Sequence, residues 1–140
     1  HIPQRMGSQH PNIAPYGDTF KTKDGKSLIL ATGTQKHFQE LCKCLELPGL
    51  IEDPRFSTNA LRVENRHILI EKLGTAFLQW NASVLLARFE KVSIPVSPIR
   101  DLSEVFKLPS AQALILKETL PDGGESQRVK TVVFQKLVSS

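Results

Sequence analysis

The chain has 140 residues, 40% of them hydrophobic, enough for one ordinary domain with a real core. Its formal charge is +4, but Lys and Arg are scattered among acids from Lys21 to Lys136, with no basic stripe interleaved with aromatics, which speaks against a nucleic-acid partner. No apolar run approaches the roughly 20 residues of a membrane span, and the polar start without Met lacks a secretory-signal pattern, so the expectation is an intracellular chain that is either cut from something longer or a processed product.

Arg5 to Gly17, RMGSQHPNIAPYG, packs Arg, His, Tyr, two Pro and two Gly into thirteen positions, the composition of an irregular loop. It reads either as a linker or as a ligand-facing loop. In the second reading Gly7 permits close backbone approach, Arg5 can meet a phosphate or carboxylate, and His10 can donate a hydrogen bond. Next, Phe20 to Thr22 and Leu28 to Ala31 flank Asp24-Gly25 and predict a hairpin. Thr34 is placed as N-cap of a helix whose apolar stripe is Phe38, Leu41, Cys42 and Leu45, stopped by Pro48-Gly49.

Asp53, held away from helix by Pro54, and Arg55 are expected to tie down a turn. One long helix should follow from Thr58 or Asn59 to Leu78, burying Leu61, Ile68, Leu69, Leu73, Ala76 and Phe77. Asn81 or Ser83 is expected to cap a third helix with Val84, Leu85, Phe89 and Val92 inward. The glycosylation sequon at Asn81 is read as that helix start. SIPVSPI, with Pro95 and Pro98, should be extended and irregular. Asp101 or Ser103 then caps a short helix through Phe106, and Pro109 or Ser110 starts another turn. LILKETL, the turn PDGGE and RVKTVVFQKLV read as a second hairpin. The expected fold class is α+β: a hairpin, three to four packed helices and C-terminal strands.

The chemistry is sparse. His1, His10, His37 and His67 have no metal-ligand spacing, and Cys42 and Cys44, two apart on a helix, suit neither a disulfide nor a zinc site. There is no phosphate-binding glycine loop and no nucleophile elbow. No metal site, bound cofactor or catalytic residue is assigned within the chain.

RMGSQHPNIAPYGDTFKTKDGKSLILATG, FQELCKCLELPGLIEDPRFSTNALRVENR and SIPVSPIRDLSEVF, in this order and spacing, resemble the small domain of class III (formyl-CoA transferase-like) CoA-transferases, closest to the succinyl-CoA:glutarate branch. The resemblance implies three parts: residues 1–17 as entry loop from a large Rossmann-like domain, 18–113 as small domain, and 114–140 as strands returning to the large domain. It implies a catalytic Asp outside this chain that carries CoA as an aspartyl thioester, with acyl-CoA and a carboxylic acid as substrates. It also implies an interlocked homodimer, in the cytoplasm or mitochondrion, and a sticky or marginally stable isolated piece. Arg5, Gly7, His10, Pro11 and Tyr16 match the family pattern and are the candidate acyl-CoA-binding edge. Asp53, Arg55, Asn59, Arg62 and Arg66 match it as architecture. Val92-Ser93 stands where the family usually has a Gly before Ile94-Pro95, and Ser97 replaces another. Racemases acting on 2-methylacyl-CoA share this fold, and a non-catalytic interaction module is the reading from a different class.

Overall fold

A computed structural model describes residues 10–130. The chain is α+β, and it divides into two compact units between Ile99 and Arg100.

In the first unit, β1 (Tyr16–Lys21), β2 (Ser27–Ala31) and β3 (Val96–Ile99) form an antiparallel sheet in the order β1-β2-β3. β1 and β2 are the expected hairpin, and Gly25 takes the left-handed turn position at φ 76°. β1 starts earlier than expected, because Tyr16 already pairs with Ala31. The register shifts between Tyr16 and Thr19, where Gly17 at φ 74° permits a bulge and the Asp18 side chain turns inward. β3 corrects the irregular reading of SIPVSPI: it pairs along β2, Ser27 opposite Ile99 and Leu30 opposite Val96. Pro98 is tolerated because β3 lies at the edge of the sheet.

Helix α1 (Gln35–Cys44) begins as expected, the Thr34 hydroxyl accepting from the His37 N–H. Its stripe of Phe38, Leu41, Cys42 and Leu45 is buried. After α2 (Gly49–Glu52), Asp53 opens a 3₁₀ turn over Pro54–Phe56 and holds Arg55 at 2.7 Å.

The expected long helix is two helices, α3 (Asn59–Glu64) and α4 (Arg66–Phe77). The break is Asn65, whose side-chain amide donates to the Leu61 carbonyl at 2.9 Å. Short polar side chains compete for backbone partners in this way, and apolar periodicity does not register it. Leu69, Leu73, Ala76 and Phe77 are buried as expected, whereas Leu61 and Ile68 are only half-buried. Phe77 joins helix to sheet, stacking on Phe20 at 4.6 Å and meeting Phe89 at 6.0 Å.

In α5 (Ala82–Lys91), Leu85 and Phe89 face the core but Val84 is exposed and Val92 half-buried. Asn81 stands at the cap position without a side-chain cap bond, and the Ala82 N–H donates instead to Asp24 of the hairpin turn at 3.0 Å. Phe38, Phe56, Phe77 and Phe89, with Leu28, Leu41, Leu69, Leu73 and Leu85, form the centre of one core. Each such side chain contributes about 1.5–3 kcal/mol on burial.

In the second unit, α6 (Leu102–Phe106) starts at an Asp101–Glu104 capping box, and α7 (Pro109–Gln112) follows. The second hairpin is β4 (Ile115–Thr119) with β5 (Glu125–Val129), the latter beginning earlier than RVKTVVFQKLV implied. Among residues 100–130 no side chain is fully buried, and Leu102, Phe106, Leu114, Leu120 and Val129 are exposed.

Candidate functional site

Of the candidate residues, Arg5 and Gly7 lie outside the described residues, and His10, Pro11 and Tyr16 lie within them. Residues 10–15 run without a ladder partner into β1. Buried or half-buried backbone still needs its polar groups satisfied, and here side chains from α3 and α4 supply the partners.

Asn59, Arg62 and Arg66 do this together. Spaced i, i+3 and i+7, they share one side of the α3–α4 segment. The Asn59 amide donates to the Asn12 carbonyl at 2.8 Å, and its oxygen accepts from the Ala14 N–H at 3.2 Å. Arg62 Nε donates to the Ala14 carbonyl at 2.9 Å. Arg66 donates from Nη1 to the His10 carbonyl at 2.7 Å and from Nη2 to the Ile13 carbonyl. The peptide bond between Ala14 and Pro15 is cis.

Arg62 is 2% exposed. Its Nη1 donates to Gln35 Oε1 at 2.7 Å and to the Phe56 carbonyl at 3.0 Å, and the guanidinium lies 4.4 Å from the centre of the Phe38 ring. Burial pushes its pKa down, and among the described residues it forms no ion pair. Neutral oxygens and a ring face hold the charge, a task that suits a planar fork of donors and not a lysine. The same burial pushes the Cys42 thiol up to about 12, an inert buried thiol. Arg66 also approaches the buried Asp18 carboxylate at 3.5 Å and lines an open depression of about 410 Å³ with His67, Ile70 and Glu71.

The structure brings His10 and Tyr16 together. The His10 N–H donates to the Tyr16 carbonyl at 3.0 Å, and the two rings meet edge to face at 5.5 Å. The Asn12 N–H donates to His10 Nδ1 at 3.2 Å. Pro11 is exposed at the turn. Reading Asn59, Arg62 and Arg66 as general architecture missed their attachment to this loop. Their spacing on one helical face was the available signal. Among the described residues no cluster of His, Cys, Asp and Glu could hold a metal ion, and no helix is long and apolar enough to cross a membrane.

Comparison with known sequences and structures assigns this arrangement to a family. A sequence model described as CoA-transferase family III matches residues 1–137. The chain belongs to CoA-transferase family III. Its family III relatives include a succinate–glutarate CoA-transferase of Agrobacterium fabrum, 36% identical over 94% of this chain and 33% of the relative. The succinyl-CoA:glutarate CoA-transferase of Mus musculus is 42% identical over 74% of this chain and 23% of the relative. An acetyl-CoA:oxalate CoA-transferase of Acetobacter aceti is 34% identical over 79% of this chain and 28% of the relative. Among solved structures, a CaiB/BaiF family protein from Brucella suis superposes with a TM-score of 0.81 at 37% identity, covering 96% of this chain and 34% of that one. The chain therefore spans about a third of the length of these relatives.

Proposed function

We propose that this chain is the small-domain part of an enzyme that moves CoA between an acyl-CoA and a dicarboxylic acid. The observation that supports it is the match along 94% of the chain to a transferase named for succinate and glutarate, alongside relatives named for glutarate and oxalate. In this reading the nucleophile is an aspartate elsewhere in the full-length protein. Its carboxylate attacks the thioester carbonyl, the CoA thiolate leaves, and a mixed anhydride forms. The thiolate attacks the aspartyl carbonyl of that anhydride and releases the donor acid, leaving an aspartyl-CoA thioester. The acceptor carboxylate attacks this thioester, thiolate leaves again, and its return to the acceptor's acyl carbon yields the new acyl-CoA and free aspartate. Arg5, Gly7, His10, Pro11 and Tyr16 form part of the edge of the acyl-CoA site, and the full-length protein works as a homodimer inside the cell.

The test is to express the full-length protein and incubate it with succinyl-CoA and glutarate, following glutaryl-CoA by mass spectrometry. Glutaryl-CoA formed at the expense of succinyl-CoA is expected, and this chain alone should form none. Absence of exchange with any dicarboxylate, together with solvent-proton exchange at C2 of a 2-methylacyl-CoA, would replace the transferase reading with a racemase.

A further inference from the structure

We propose that His10 is held as a fixed hydrogen-bond donor through Nε2 toward an oxygen of the acyl part of acyl-CoA, and that Asn59 and Arg66 are the positioning residues that hold it; this rests on the reading of the loop as a site edge given above.

Three atoms of His10 are already committed. Its N–H donates to the Tyr16 carbonyl at 3.0 Å, its carbonyl accepts from Arg66 Nη1 at 2.7 Å, and its ring Nδ1 accepts from the Asn12 N–H at 3.2 Å. An imidazole nitrogen that accepts an N–H carries no proton, so in the neutral ring the proton sits on Nε2. Nε2 makes no hydrogen bond within the described residues, and the residue is half-buried. It is therefore a donor set in one direction and open to an incoming acceptor.

Asn12, which fixes the ring, is itself fixed. Asn59 takes the Asn12 carbonyl at 2.8 Å and the Ala14 N–H at 3.2 Å. Arg66 spans the turn by holding the carbonyls of His10 and Ile13. Removing either side chain frees the backbone that presents the Asn12 N–H to Nδ1. The Nε2–H suits an oxygen acceptor, and the acyl part of acyl-CoA offers two: the thioester carbonyl and, in a dicarboxylyl-CoA, the distal carboxylate.

The test uses the full-length protein labelled with ¹⁵N-histidine. The nitrogen chemical shifts of His10, assigned by its loss in His10→Gln, should report the Nε2–H tautomer in the wild type and a mixture in Asn59→Ala and Arg66→Lys. A wild-type ring protonated at Nδ1, or a wild-type mixture, overturns the inference without any variant needing to fold. Kinetics form the second arm. His10→Gln should lower kcat/KM about tenfold, the worth of one hydrogen bond to a charged or polarised acceptor. Arg66→Lys should lose part of the same factor, and Arg66→Lys combined with His10→Gln no more than His10→Gln alone. A loss seen with succinyl-CoA but not with butyryl-CoA assigns the donor to the carboxylate. A loss with both assigns it to the thioester carbonyl. No loss with either overturns the donor role. A protein that transfers CoA but has the other tautomer leaves the proposed function standing and removes this inference. A protein that binds no acyl-CoA removes the function and the donor role, while the tautomer still decides whether the positioning is right.

Discussion

Replacing Arg62 by alanine tests how the α3–α4 segment holds the loop. The substitution removes donors from two backbone carbonyls, Ala14 and Phe56, and the face contact with Phe38. A buried carbonyl left without a partner costs about 1–3 kcal/mol, and the ring contact adds about 1–2 kcal/mol. Against this stands the charge that no longer needs to be buried, which returns several kcal/mol, about 3, after relaxation. The expected net loss is about 2–3 kcal/mol, a sizeable share of the 5–15 kcal/mol that a domain commonly has. Arg62→Met separates the two sides of the balance. It keeps the stem and drops the charge, yet leaves both carbonyls without their donor, so it should still cost about 1 kcal/mol. The assay is urea unfolding followed by the fluorescence of Trp80, the single tryptophan, with the denaturant slope checked for constancy. An Arg62→Met protein as stable as the wild type would refute the reasoning, because the hydrogen bonds to the loop would then add nothing beyond the cost of burying the charge.

Further outcomes follow from other positions. Ser93 adopts φ 57°, a left-handed conformation that costs a side-chain-bearing residue about 1–2 kcal/mol, so Ser93→Gly should gain up to about 1 kcal/mol after the entropy of the added glycine, read as a higher urea midpoint. Conversely, Gly25→Ala at φ 76° should cost about 1 kcal/mol although nothing crowds the position, and an unchanged midpoint would contradict it. A thiol reagent near neutral pH should leave Cys42 unmodified in the folded protein, since burial keeps it protonated, and should reach it only on unfolding; rapid native labelling would contradict the packing of α1. The Thr22 hydroxyl, with the Ala82 N–H, holds the Asp24 carboxyl below its ordinary value of 3.8. A lowered folded pKa stabilises above the unfolded value and is lost as pH falls through the folded one, so wild-type stability should decline below about pH 4. Asp24→Asn should flatten that decline, and an identical acid profile would count against the coupling.

Hydrophobic periodicity made most of the first unit legible. The hairpin at Asp24-Gly25, the Thr34 cap and the stripe of Phe38, Leu41, Cys42 and Leu45 depend on local signals that tertiary structure did not override. Periodicity failed at Asn65 because apolar spacing continues across it while the side-chain amide takes a backbone carbonyl. It failed at Val96–Ile99 because two prolines mask a strand that needs hydrogen bonds on one side only. Of the residues taken from the family pattern, the structure brings His10 and Tyr16 together. Ser93, where the resemblance implies glycine, adopts a backbone angle that glycine favours. The shared face of Asn59, Arg62 and Arg66 was readable, but not its target, since it pairs side chains with main-chain atoms some 45–56 positions away.

That mode of attachment separates shape from identity along the loop. Asn12, Ile13 and Ala14 offer the helices only carbonyl oxygens and one N–H, groups that nearly every amino acid carries. The path of the loop is thus written in three residues of α3 and α4, while the side chains at positions 11 to 13 are left open to variation. A library randomised at those positions should return many folded chains presenting new surfaces on an unchanged backbone, whereas one randomised at 59, 62 and 66 should return few.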